Sequence, residues 1–255
     1  MARRVDDEGA MRNEGKNNSF AFGSNVTLSG SVKGDNNIVV IGNARVQSTI
    51  NMQIYGDNNT VLISASYQIK ALNIVFGSHI KANHALLKVG KQFSIEPGCT
   101  FLLYNTENKL FIGDDCLFSS GITIRCGEAP HLIFDSETGD YLDISEGVSI
   151  GDHVWIGERA YINKRAVIPS KCIVAACSVV TRKFEDENCV LGGHPARIVR
   201  KNVHWVRNRD FLEKDSIYKK KYDSYHESLN RRGLAASSDA SVAASGPVMK
   251  EDGVE

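Results

Sequence analysis

The chain has 255 residues, 42% of them hydrophobic and 24% charged, which suits one or two folded domains and excludes a wholly disordered chain. Thirty basic residues balance thirty acidic ones, for a net charge of +0, so the broad positive field of a general nucleic-acid binder is absent. Six cysteines include no C-x-x-C pair, which argues against a structural zinc site of that type.

Residues 1–19 are polar and mixed in charge, with no apolar core of a secretory leader, and are expected to be flexible. A solenoid domain is expected over residues 20–200. In its first half Val26, Val32, Ile38, Ala44 and Ile50 fall six apart, as do Ile112, Phe118 and Ile124. Turn clusters recur between them: G-D-N-N at Gly34 and Gly56, G-D-D at Gly113 and G-D-H at Gly151. Gly and Asn tolerate the positive φ of tight corners. Residues 125–147, R-C-G-E-A-P-H-L-I-F-D-S-E-T-G-D-Y-L-D-I-S-E-G, lack the period and read as a long excursion loop, a feature that is usually functional. The stride then returns at Ile150, Ile156, Ile162, Ile168, Val174 and Val180. Residues 201–232 carry an apolar stripe at helical spacing and are expected to cap the open end of the solenoid. Residues 233–255 are small and polar and are expected to be disordered. No run approaches the ~18 apolar residues of a membrane span, so the expectation is a cytoplasmic protein with reduced thiols.

A stride of six fits neither a helix, which needs spacings of three and four, nor a plain strand, which needs two. It fits a short strand plus a turn, repeated on each flat face of a parallel β-helix built from hexapeptides.

Joined to G-D-H-V-W-I-G at Gly151, V-A-A-C-S-V-V-T-R-K at Val174 and G-G-H-P-A-R-I-V-R-K-N at Gly192, this stride resembles the left-handed parallel β-helix acyltransferases, the hexapeptide-repeat acetyltransferases. Within them the chain is most similar to bacterial O-acetyltransferases that modify capsule, lipopolysaccharide or other surface glycans. The resemblance is strong over residues 110–205, weaker over 24–109, and does not cover the tails. It implies a homotrimer with active sites between neighbouring solenoids. It also implies acetyl-CoA as cosubstrate in the groove between them, a glycan or sugar acceptor, direct transfer without an acyl-enzyme, and no metal.

Such a transfer needs a base to take the hydroxyl proton, a role worth ~10²–10⁴-fold. Histidine suits it, with an ordinary pKa of ~6.5. Related enzymes place this histidine in the excursion loop four residues before an Asp, and here His131 precedes Asp135, with Thr138-Gly139 following. His131 is therefore the expected base, and Glu128 and Asp135 are carboxylates that could orient it. Pro130 and Cys126 depart from the small polar residues usual there. Stride puts Ile156 inward and Trp155 outward, as a platform for sugar or pantetheine. The resemblance assigns the donor groove to Ala176, Ser178, Thr181 and Arg182, with Arg197 and Arg200 on the donor's phosphates through bidentate bonds. Cys177 stands where relatives carry Gly, and His194 where they carry Asn.

Two other classes stay open. His79 and His84 have an H-x-x-x-x-H spacing, like the zinc pair of γ-class carbonic anhydrases, although no third histidine precedes them. A non-catalytic solenoid that binds or scaffolds is the other.

Overall fold

A computed structural model describes residues 11–128, 131–145 and 147–243, with side chains described as far as residue 232. The chain divides after His204 into two units.

The first unit is a parallel β-solenoid with three sheets. Among the described residues the first face has eight strands and the second and third have seven each. The first six strands alternate between the first and second faces; from Gln68–Ile69 to Val179–Val180 successive strands visit the three faces in turn, so each sheet there gains one strand per coil. In the C-terminal coils Tyr161 pairs with Val179, Trp155 with Ile173 and Ser149 with Val167, each eighteen residues on. Three hexapeptides therefore make one coil. Ile150, Ile156, Ile162, Ile168, Val174 and Val180 all point inward and are at most 2% exposed.

The N-terminal coils are longer. Val26 pairs with Ser48 and Ile38 with Thr60, twenty-two residues on, and Thr60 with Leu86, twenty-six on. Strands Val26–Lys33 and Ser48–Tyr55 run eight residues, with inward side chains alternating. The six-residue stride fails here at one position. Ile38 points outward, 45% exposed, and its neighbours Val39 and Ile41 take the core. The extra length of the coil shifts the pleat by one residue, which reverses the facing of every side chain.

The solenoid also starts earlier than residue 20. Met11–Glu14 pairs in parallel with Gly30–Lys33, and Ser19–Phe22 with Ile38–Ile41. The polar, charged sequence conceals this because most side chains of Met11–Glu14 face out and only the backbone and Met11 are engaged. Residues 1–10, expected to be flexible, lie outside the described residues.

The G-D-N-N corners explain the coil stacking. Asn36 and Asn58 adopt φ of 58°. A Cβ on Gly34 would lie 2.0 Å from the Gly56 carbonyl oxygen of the next coil, so only glycine fits. Asn37 and Asn59 are fully buried. The Asn37 amide donates to Asn18 Oδ1 and to the Gly56 carbonyl, both at 3.0 Å, and its own Oδ1 accepts from the Asn59 backbone at 2.9 Å. Buried polar groups left unpaired cost ~1–3 kcal/mol each. Asn37→Ala is therefore expected to lower stability by about 2–4 kcal/mol, read from the urea midpoint, because partners on both adjacent coils are orphaned at once.

At the other end, Val190–Gly193 and Ala196–Arg200 close the third face as an antiparallel hairpin.

The second unit contains a 3-10 turn, Arg209–Phe211, and one helix, Ile217–Ala243. Helix was expected to begin near residue 203. It begins later because Asn208 caps the 3-10 turn, accepting from Asp210 N, and Ser216 Oγ then accepts from Lys219 N at 3.1 Å to start the helix. It also continues past Gly233 into residues expected to be disordered. That stretch, G-L-A-A-S-S-D-A-S-V-A, is rich in alanine, the best helix former. The apolar stripe is present but open, with Ile217, Tyr218, Tyr222, Tyr225 and Leu229 all exposed. Residues 244–255 lie outside the described residues. No described helix is long and apolar enough to cross a membrane.

Candidate active site

The excursion loop leaves the first face at Thr123–Arg125 and rejoins the second face at Val148–Ile150, so it springs from one corner of the solenoid. Both of its ends are held. Arg125 pairs with Glu128 at 2.5 Å just after the strand. Lys164, from the next coil, bonds Asp143 near the loop's far end and lies 3.9 Å from Glu128. The Lys164 side chain is 15% exposed and that of Asp143 only 5%. Burial pulls the Lys164 ammonium below the ordinary lysine range, against the opposing pull of Glu128. The Arg165 guanidinium donates to the Ile144 carbonyl at 2.5 Å and the Leu142 carbonyl at 3.4 Å, and Ser145 Oγ donates to the Cys126 carbonyl. Lys164 and Arg165 were not foreseen. Charge at a corner does not set them apart in the sequence, since Asp152, Glu158, Arg159 and Lys171 occupy other corners of the same repeats.

The loop's outer part is a small hairpin. Phe134 and Tyr141 bridge with rings 5.5 Å apart, and Leu142 N donates to the Ile133 carbonyl. Asp135 Oδ1 accepts from the backbone of Glu137 and Thr138, both at 2.8 Å, which holds its carboxyl below the usual carboxylate range. Gly139, at φ +76°, completes the turn. The D-x-x-T-G pattern after His131 is thus accounted for as turn chemistry.

His131 stands at the foot of this hairpin, exposed, with no hydrogen bond to another described residue. Each carboxylate suggested as its orienter has one oxygen engaged elsewhere. Asp135 Oδ1 serves the turn and Glu128 Oε2 serves Arg125. Pro130 lies outside the described residues. Around His131 the loop presents Leu132, Ile133, Phe134, Leu142 and Ile144, each at least half exposed. Apolar surface on this scale marks a contact site.

Trp155 is on the third face, as its outward register requires, with its indole donating to Ser119 Oγ at 3.3 Å. It is 37% exposed. His153 sits at the preceding corner with φ 54°, as expected of a turn residue. Its Nδ1 lies 2.6 Å from Asp115 Oδ2, so one ring nitrogen is committed across the coils. The loop root and Trp155 therefore belong to different corners, with the second face between them.

The donor residues divide in the same way. Ala176 is exposed at the corner between the third and first faces. Thr181 and Arg182 follow the last strand of the first face, and Arg182 lies over the Phe184 ring at 4.9 Å. Arg197 and Arg200 are exposed on the last strand of the third face. The Ser178 side chain points inward. It is 1% exposed, and its hydroxyl accepts from Gly193 N at 3.2 Å, which braces the terminal hairpin. Inward pull by the coil register and an unpaired backbone donor explain this turn of the side chain.

His84 is a corner residue with φ 55°, its backbone tied to Asp57. Among the described residues no three His, Cys, Asp or Glu side chains gather as a metal site.

No protein-family model and no curated protein matches the sequence. Solved structures do match. The polySia-specific acetyltransferase NeuO superposes with a TM-score of 0.67 at 23% identity, over 86% of this chain and 98% of that one. The polysialic acid O-acetyltransferase OatWY gives 0.62 at 23% identity, over 82% and 95%. This chain therefore has the parallel β-solenoid fold on which those two acetyltransferases are built.

Proposed function

We propose that the protein is an O-acetyltransferase that moves acetyl from acetyl-CoA to a hydroxyl of a surface polysaccharide or its sugar precursor. The observation that carries this reading is the braced loop: an exposed histidine on an arm whose two ends are tied by one half-buried lysine. The shared fold with acetyltransferases acting on an acidic polysaccharide supports it.

In this reading His131 takes the proton of the acceptor hydroxyl as the new C–O bond forms, and the thiol leaves the acetyl carbon. Trp155 walls the acceptor. Ala176 and Thr181 face the pantetheine arm, and Arg182, Arg197 and Arg200 meet the donor's phosphates by charge-assisted bonds. His131 and Trp155 belong to different corners, so the working site is assembled between copies of the chain, in a homotrimer. The apolar arm around His131 supplies the surface for that contact.

The test uses two damaged chains, His131→Ala and Trp155→Ala, co-expressed with different tags and purified as mixed assemblies. Each alone is expected to release CoA slowly from acetyl-CoA with a bacterial glycan. Mixed assemblies are expected to regain a sizeable fraction of parent activity, because some interfaces then carry both intact residues. Mixed assemblies no better than either alone would place the site within one chain and end this reading.

A further inference from the structure

The first face carries an open groove of ≈ 760 Å³ on its outer surface, well N-terminal to the excursion loop. Its lining includes Ser31, Lys33, Gln53, Tyr55, His79 and Tyr104. Three facts define its chemistry. The lining contains a lysine and a histidine and no carboxylate. Two tyrosines offer ring faces and hydroxyls together, with Tyr55 37% exposed. The remaining polar groups, Ser31, Gln53 and Ser78, are neutral hydrogen-bonding side chains suited to hydroxyls. Nearby acids are engaged by other cations: Glu14 lies 3.6 Å from Lys33 and 2.8 Å from Arg12, Asp57 pairs with Lys81 at 3.1 Å, and Glu128 pairs with Arg125.

The register shows where this groove leads. Ser31, Gln53, Val75, Leu102 and Arg125 are direct partners on five consecutive strands. Lys33 and Tyr55 form the adjoining rank. Strands in a sheet lie ~4.8 Å apart, so the groove, from Ser31 to Tyr104, runs roughly 14 Å along the solenoid. Tyr104 ends the groove, and the Arg125 guanidinium lies over its ring at 5.2 Å. Arg125 closes the strand from which the His131 loop departs. The groove is therefore a track pointing at the root of the loop.

We propose that this track binds an extended, carboxylate-bearing glycan chain and delivers it to the His131 loop. This rests on the acetyltransferase reading for its purpose, while the binding itself does not depend on a donor. Aromatic faces pack on the apolar faces of sugar rings, side-chain amides and hydroxyls bond sugar hydroxyls, Lys33 attracts carboxylates, and a ring N–H of His79 can donate to one. A track much longer than one ring favours an oligomer over a single sugar.

The experiment measures binding of three tetrasaccharides to the full chain by calorimetry, with no acetyl-CoA present: α2,8-linked sialic acid, galacturonate and maltotetraose. At least one acidic tetrasaccharide is expected to bind five-fold or more tighter than maltotetraose. Tyr55→Ala is expected to weaken it five-fold or more, and Lys33→Gln to weaken it and flatten its salt dependence. Tyr67→Ala, an exposed tyrosine remote from this groove, is the control and is expected to change nothing. No binding of either acidic probe, a preference for maltotetraose, or equal losses in Tyr55→Ala and Tyr67→Ala would overturn the proposal. Failure of the enzyme reading looks different: acidic probes bind through Tyr55 and Lys33, yet no CoA is released with any acceptor. Conversely, CoA release that depends on His131 but is indifferent to Tyr55→Ala and Lys33→Gln leaves the enzyme standing and removes the track.

Discussion

His131→Ala is expected to lower turnover at least ~10²-fold in a CoA-release assay with acetyl-CoA and a responsive bacterial glycan, while the donor Michaelis constant stays nearly unchanged. The reason is the step at which the imidazole acts. A base takes its proton in the transition state and contributes nothing to holding the donor, so its loss falls on kcat and on kcat/KM together. His131→Asn is expected to do no better, because an amide keeps hydrogen bonding but cannot take the proton. Parent activity is expected to fall as the solution is acidified, since an imidazolium has no lone pair to offer. EDTA is expected to leave the rate unchanged, because a thioester is already activated. Full activity in His131→Ala would refute the assignment. Chelator sensitivity, with greater damage from His84→Ala than from His131→Ala, would instead favour the zinc-enzyme class.

Lys164→Ala is expected to have the next largest effect, through a residue that touches no substrate. Lys164 bonds Asp143 and reaches Glu128, so one side chain ties the loop's exit to its return. Asp143 is almost wholly buried, and removing its cation strands a charge. Breaking a fully buried pair costs ~3–5 kcal/mol; partial exposure of Lys164 reduces this to about 1–3 kcal/mol. Much of that loss falls on the loop, because the solenoid core beneath it is independent of the pair. The expected signature is a kcat lowered ten-fold or more, faster protease nicking between residues 126 and 147, and a donor Michaelis constant close to the parent's. The double variant Lys164→Met/Asp143→Leu separates two causes. It replaces the pair with apolar side chains, which is often neutral or stabilising, and is expected to recover stability and protease resistance. Unchanged kcat and unchanged nicking in Lys164→Ala would show that Ser145, Arg165 and the hairpin hold the loop without it.

The regular part of the molecule was legible because its information is local. A hexapeptide carries its own strand, its own corner and its own inward aliphatic. Ile150 to Val180 therefore announce their positions without reference to any other coil, and all are buried. The same regularity made the loop at 125–147 visible as a gap, and placed His131 within it and Trp155 on the outside of a strand.

What tertiary structure alone decided depends on coil length, which the stride does not encode. A coil of twenty-two residues puts Ile38 outside against the pattern, and intervals of twenty-two and twenty-seven bring Ser31, Gln53, Val75 and Leu102 into line. Ser178 turned inward because a backbone donor on Gly193, fifteen residues away, waits for its hydroxyl. The brace of Glu128, Asp143 and Lys164 joins two aperiodic loop positions to a repeat position, so no spacing rule finds it. His131 and Trp155 are twenty-four residues apart in sequence but belong to different corners of the solenoid, because the loop is inserted before the second face and the tryptophan lies beyond it. Sequence set which side chains face in and out of each repeat; the stacking of unequal coils set which of them meet, since contacts between coils depend on the residue count of every corner in between.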